Sequence, residues 1–228
     1  MVRVKICGMT HEEDIALCVE AGASALGFVV EYPQPTPWTL SRERATQLMS
    51  AVPPFVSRVA VVGGSAETII NICKTLRPDA VQLHGDESEA TVAAVAQALA
   101  NSGTRIIKAV RIRAQQGPER DASDLPAHHW TAIAARFLAA GADAILLDSK
   151  ADHRPGGTGK TFDWQIAQEV AKSVQPLILA GGLTPENVGQ AIATVQPYAV
   201  DVISSLEDAN HRKVTAQVKR FLAAVRSA

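Results

Sequence analysis

Eight short apolar runs, each followed by a longer stretch of helical spacing, set the limits on what this chain can become. The runs fall at residues 2–6, 25–30, 56–61, 80–83, 105–110, 144–147, 177–179 and 200–203. The helical stretches fall at 11–21, 41–51, 67–76, 87–100, 130–140, 162–173, 185–194 and 211–225. Runs this short and apolar suit strands buried on both faces, and their regular alternation with helices is the rhythm of a parallel sheet covered by crossover helices. Eight such units are the number that closes a (β/α)₈ barrel, and 228 residues leave little length beyond it, so one α/β barrel domain over 1–228 is expected. Periodicity does not report closure, so a doubly wound open sheet stays as the competitor. Thr10 and Thr184 stand where N-caps belong, the second followed by Pro185 at the first helical position.

Composition narrows the partners. Lys and Arg number 22 against 23 Asp and Glu, which offers no broad basic surface, so neither nucleic acid nor a membrane is expected to bind. No charged-then-apolar leader opens the chain, and no apolar run approaches the roughly 18 residues of a membrane helix, so a cytoplasmic location is expected. The three cysteines, Cys7, Cys18 and Cys73, have no CxxC spacing and form an odd count, so neither a disulfide framework nor a metal site is expected. Cys18 and Cys73 read as core filler, and His128 and His129 as solvent-exposed. Two segments interrupt the short loops. Residues 31–40 (EYPQPTPWTL) carry three prolines that forbid helix and read as an ordered loop or lid, and residues 115–128 read as a polar insertion.

The chemistry-bearing residues gather at the carboxyl ends of the runs, where (β/α)₈ enzymes place their sites. Val2, Val4 and Ile6 read as a buried strand, so Cys7 stands at its end, and a thiol there serves as base or nucleophile once its pKa falls. Asp148 ends the sixth run in the same way. Residues 156–160 (GGTGK) are flexible backbone that can approach an anion closely, although the upstream glycine of a Walker A loop is absent. Residues 179–186 (LAGGLTPE) run from strand through a glycine pair into a helix start, which is a phosphate grip of backbone amides and helix dipole. Ser204 and Ser205 add two hydroxyls after the eighth run, and barrels commonly hold phosphate with the loops after strands seven and eight.

Taken together, KICGMT at 5–10, QLHGDE at 82–87, LLDSK at 146–150, GGTGKTFDW at 156–164, LAGGLTPENV at 179–188 and AVDVISSLE at 199–207 resemble the phosphoribosylanthranilate isomerase family of tryptophan biosynthesis. The resemblance spans nearly the whole chain in order. It implies a (β/α)₈ barrel that converts an aminoaldose phosphate into an aminoketose phosphate without cofactor or metal, acting on a small phosphosugar as monomer or homodimer. It implies Asp148 as the general acid at the furanose ring oxygen and Cys7, as thiolate favoured by Lys5, as the base at C2′. It assigns Lys5 and His84 to the substrate site and Gly157, Gly181, Gly182 and Ser204 to the phosphate, with Ser205 beside them.

Three departures accompany the matches. The family's loop after the second strand carries a basic residue for the anthranilate carboxylate, whereas residues 31–40 hold no Lys or Arg; Arg154 and Trp38 are the substitutes the sequence offers. Ile203-Ser204-Ser205 stands where serine-serine-glycine is usual, and Gly63-Gly64 replaces an apolar-then-acidic run. Two other classes of function fit less well. One is a lyase or aldolase using Lys5 or Lys108 as a Schiff base, or an isomerase of a different phosphosugar, and the other is a phosphate-ligand binder without turnover. The sugar isomerase of histidine biosynthesis uses an aspartate where this chain has Cys7.

Overall fold

The computed structural model describes residues 1–113, 125–150 and 164–228, and the apolar runs are parallel strands in it. In chain order they are β1 (Arg3–Ile6), β2 (Ala25–Val30), the two-residue β3 (Thr39–Leu40), β4 (Ser57–Val62), β5 (Ala80–Leu83), β6 (Arg105–Arg113), β7 (Ala144–Lys150), β8 (Leu177–Leu179) and β9 (Ala199–Val202). Pairing runs β1-β9-β8-β7-β6-β5-β4-β2, and β1 pairs again with β2, so the ring closes and the open sheet is excluded. β3 lies outside the ring against the end of β2, Val29 facing Thr39 and Val30 facing Leu40, so the proline-rich segment returns to the sheet it left.

The helices are α1 (Glu12–Ala21), α2 (Arg42–Ser50), α3 (Ala66–Leu76), α4 (Glu89–Leu99), α5 (Ala127–Ala139), α6 (Trp164–Ser173), α7 (Val188–Val195) and α8 (Thr215–Ser227). Ser41, Ser65 and Ser88 cap α2, α3 and α4 by accepting from Arg44, Thr68 and Thr91 N–H. The expected threonine caps are displaced. α1 takes His11 as its N-cap, and the Thr10 hydroxyl bonds the His11 ring instead. Pro185 does not open α7, because Thr184 to Asn187 close a turn of their own. The Thr184 hydroxyl accepts from Glu186 N–H, and its carbonyl accepts from Asn187 and Val188. α5 begins three residues before the expected 130, which carries Trp130 into the core at 6 % exposure. His128 and His129 are exposed as expected.

Strand alternation sorts every side chain into one of two cores. One set, including Ile6, Leu26, Phe28, Val62, Leu83, Val110, Ile112 and Leu147, faces the helices with Cys18 and Cys73. The other faces the barrel axis and is built of smaller groups: Val59, Ala80, Ile107, Ala109, Ala144, Leu146, Ile178, Ala180 and Ala199. The axial positions nearest the carboxyl rim are filled by Cys7, Val29, Val61 and, packed against them, Ile203. A shallow hollow of about 270 Å³ lined by Ala96, Leu99, Gly103 and Gly141 lies at the opposite, amino-terminal end, away from these groups. Among the described residues no helix is long and apolar enough to cross a membrane.

Candidate active site

Cys7 continues β1 by one residue, its N–H bonded to Val202 O at 2.9 Å. The chain then leaves the strand at Gly8, whose φ of 81° is the left-handed conformation that glycine adopts freely. Gly8 and Met9 N–H both donate to Gly27 O at 3.0 Å, which fixes the exit against β2. Gly27 itself faces the thiol. A Cβ there would sit 2.6 Å from Cys7 Sγ and 3.0 Å from Lys5 Nζ, so β2 gives up a side chain to leave room for both groups.

Lys5 points along the axis below Cys7 and donates to both oxygens of Asp201 at 2.9 and 2.8 Å, a pair formed 196 residues apart in sequence. Both partners are buried. Burial alone would lower the Lys5 pKa, but the charge of Asp201, aided by Cys7, holds it above its ordinary value. For Cys7, burial is the largest influence and pushes the thiol up; Lys5 and Lys213 pull it down, and Asp201 opposes them. Lys5 thus favours the thiolate, as expected of a neighbouring cation, while burial and the charge of Asp201 oppose it.

Across the rim, His84 and Asp148 come together, Nε2 lying 3.3 Å from Oδ2, each about a quarter exposed. His84 Nδ1 bonds the Gln82 side-chain amide nitrogen at 3.0 Å, and with that nitrogen donating, Nε2 carries the hydrogen toward Asp148. Arg111 is the register partner of Asp148 on β6; its neighbours Val110 and Ile112 face the helices, so the guanidinium faces the mouth, where it pairs with Asp86. Tyr32, from the loop after β2, donates to His84 O at 3.0 Å. A Cβ on Gly63 would lie 3.1 Å from the Tyr32 ring, so the first glycine of the unexpected pair at 63–64 gives the tyrosine its seat.

After β8, Gly181 and Gly182 take left-handed φ values of 88° and 63°, which turn the chain sharply out of the strand. Asn187 staples this loop, accepting from Thr184 N–H at 2.8 Å and donating to Gly182 O at 2.9 Å. Ser204 and Ser205 open a single 3-10 turn, Ser204–Leu206. Ser205 has no positive φ, and its hydroxyl donates to Leu183 O at 2.6 Å, so the serine in the usual glycine's place ties the last two loops together without backbone strain. The first amides of such a turn have no partner within it and remain available to an anion. Arg154 and Gly157 lie outside the described residues.

Trp38 does not offer its face to the mouth. It is 7 % exposed, its Nε1 donates to Glu207 at 3.0 Å, and its ring meets His211 edge-on. Lys213 completes that buried cluster on Glu207. Lys108 also turns away: it sits on the helix-facing side of β6, with Nζ 2.8 Å from Glu87 and bonded to the carbonyls of Leu83 and Gly85. Among the described residues no group of three or more His, Cys, Asp or Glu side chains is arranged to hold a metal ion.

Residues 4–224 match the family model described as N-(5'-phosphoribosyl)anthranilate (PRA) isomerase. The chain belongs to the phosphoribosylanthranilate isomerase family. It is 42% identical over 224 residues to N-(5'-phosphoribosyl)anthranilate isomerase of Geobacter sulfurreducens, covering 97% of each chain. The crystal structure of phosphoribosyl anthranilate isomerase from Thermotoga maritima superposes with a TM-score of 0.81 at 36% identity, all of both chains covered. A phosphoribosyl anthranilate isomerase solved in complex with reduced 1-(o-carboxyphenylamino)-1-deoxyribulose 5-phosphate gives 0.77 at 34%, again over both full lengths.

Within this isomerase fold, sequence reasoning missed three residues that shape the site. Gly27 was readable only as a glycine inside a strand, a sign of close approach by another group. Asp201 shares the alternation of Ala199 and so had to face the axis, but its partner Lys5 is at the other end of the chain. Asn187 sits two residues after Pro185, where a helix was expected and a loop staple forms.

Proposed function

We propose that Cys7 and Asp148 divide the proton transfers of the Amadori rearrangement of N-(5-phosphoribosyl)anthranilate to 1-(2-carboxyphenylamino)-1-deoxyribulose 5-phosphate. The chain is an intramolecular oxidoreductase of tryptophan biosynthesis. The observation that carries the assignment is that both groups stand on axial positions at the carboxyl rim, one after β1 and one on β7, with the glycine loop after β8 and the turn after β9 beside them.

Asp148 delivers a proton to the furanose ring oxygen, the bond from that oxygen to C1′ breaks, and nitrogen's lone pair completes a protonated imine. Cys7 thiolate then removes the C2′ proton, and the electron pair of that bond becomes the C1′=C2′ bond of an enolamine. Loss of the enol proton and protonation at C1′ give the aminoketone. The step at C2′ is where the environment of Cys7 matters. Burial opposes the thiolate in the ligand-free site, whereas the cationic imine and Lys5 both favour it once substrate is in place. The phosphate supplies the grip at the far end, on the amides of Gly181, Gly182, Ser204 and Ser205. His84 supports Asp148 through Nε2. A cytoplasmic location and a phosphosugar as the small-molecule partner complete the proposal, with monomer or homodimer as the assembly.

The aldolase alternative loses one of its two amines, since Lys108 lies outside the barrel wall. The test is a fluorescence assay following loss of phosphoribosylanthranilate, with complementation of a tryptophan auxotroph as the cellular readout. Cys7→Ser and Asp148→Ala should each lower kcat by about 10²- to 10⁴-fold, the range for a lost general base or acid, while the reduced product analogue still binds. Normal turnover by either variant overturns the assignment.

A further inference from the structure

We propose that Arg111 is the cation that receives the carboxylate of the substrate's aromatic ring. The inference rests on the reaction proposed above and names the group its aglycone requires. The substrate is charged at both ends, and the phosphate is met at the loops after β8 and β9. The ring carboxylate therefore needs a counter-charge on another side of the mouth.

Other candidate cations of the described structure are already committed. Lys5 is buried below Cys7 on both oxygens of Asp201, Lys213 is buried on Glu207, and Lys108 lies behind β6. Arg42, the first basic residue after β2, forks onto Glu31 through Nε and Nη2 at 3.2 and 2.7 Å. Arg111 is paired as well, but it differs in its place and in the exposure of its partner. It occupies the axial face of β6, directly beside Asp148 in register, with its side chain 19 % exposed. Its carboxylate partner Asp86 is 92 % exposed, so water already solvates that charge and the pair is easily exchanged for a ligand's carboxylate.

The surroundings suit an aromatic acid. Tyr32 packs on the apolar cluster of Cys7, Val29, Trp38 and Val61 and reaches across to His84 O, which makes an apolar wall on the β2 and β4 side of the rim. A ring lying against that wall would present an ortho carboxylate toward the β5 to β7 side, where a planar guanidinium can take both oxygens. The position thus restores, from a different strand, the basic contact that residues 31–40 lack.

The experiment compares wild type, Arg111→Gln and Arg111→Lys against the substrate and against two inhibitors, the reduced product analogue and its phenylamino counterpart without the carboxylate. Arg111→Gln should raise KM by about 10- to 100-fold, the scale of one charge-assisted bidentate contact, with a smaller change in kcat, and Arg111→Lys should recover part of it. Wild type should prefer the carboxylate-bearing inhibitor by a similar factor, and Arg111→Gln should bind both inhibitors alike. A glutamine variant that keeps the preference, or that loses affinity equally for both inhibitors, overturns the role of Arg111 while leaving the reaction assigned. A wild-type enzyme that fails to turn over phosphoribosylanthranilate overturns the functional reading itself.

Discussion

Two lysines on strands, Lys5 and Lys108, are each buried with Nζ 2.8 Å from a carboxylate, yet they do different work. Lys5 faces the axis, and the charge of Asp201 holds its pKa above the ordinary value against the effect of burial. Lys108 faces outward, and burial lowers its pKa even with Glu87 beside it. The first pair touches the thiol's surroundings and sets the charge around Cys7. The second holds carbonyls of Leu83 and Gly85, and Glu87 accepts from Gly64 and Gly85 N–H, so it clamps the loop that carries His84. One residue of strand parity separates a lysine beside the thiol from one that secures a loop.

The contrast breaks most visibly in activity. Lys5→Met should lower kcat by about 10²- to 10³-fold, because it removes a cation that favours the Cys7 thiolate and leaves Asp201 as an unanswered negative charge beside it. Lys108→Met should instead leave kcat within about threefold and destabilise the fold by about 3–5 kcal/mol, since Glu87 is left buried without its counter-charge. Adding Glu87→Gln should return part of that loss in a denaturation experiment. Equal kinetic damage from the two lysine variants would erase the distinction.

Gly27→Ala should lower kcat by about tenfold or more with a fold intact by circular dichroism, because the new methyl would lie 2.6 Å from Sγ and displace the thiol from the position that the proposed proton abstraction needs. The gentlest probe is alkylation of ligand-free Cys7 by iodoacetamide across pH. Only the thiolate reacts, and burial raises the Cys7 pKa from 9.0, so the rate should keep climbing beyond pH 9. Asp201→Asn removes a charge that raises that pKa, so its midpoint should fall below that of wild type; a rise would reverse the sign assigned to Asp201.

Much of this was written in the alternation of the chain. The eight strands, their carboxyl ends and the places of Cys7 and Asp148 followed from runs of apolar residues whose period does not depend on distant contacts. Helix starts were less legible where a turn competes, as at Thr184 to Asn187, because Pro185 suits the first residue of a turn as well as that of a helix. Side-chain pairings between segments distant in sequence were not legible at all. Nothing local to Lys5 names Asp201, and Trp38 looked like a stacking face until its indole nitrogen found Glu207. The inward side of β6 was half visible, since Ile106, Val110 and Ile112 share one parity and Arg111 holds the other.

That indole bond reaches further than its length suggests. Trp38 lies beside Cys7, and Glu207, which holds it, is itself gripped by Lys213 just ahead of α8. A nick or truncation that frees the final helix should thus slacken the loop after β2 and the wall around the thiol together, which couples the last helix of the polypeptide to the surroundings of a residue at its start.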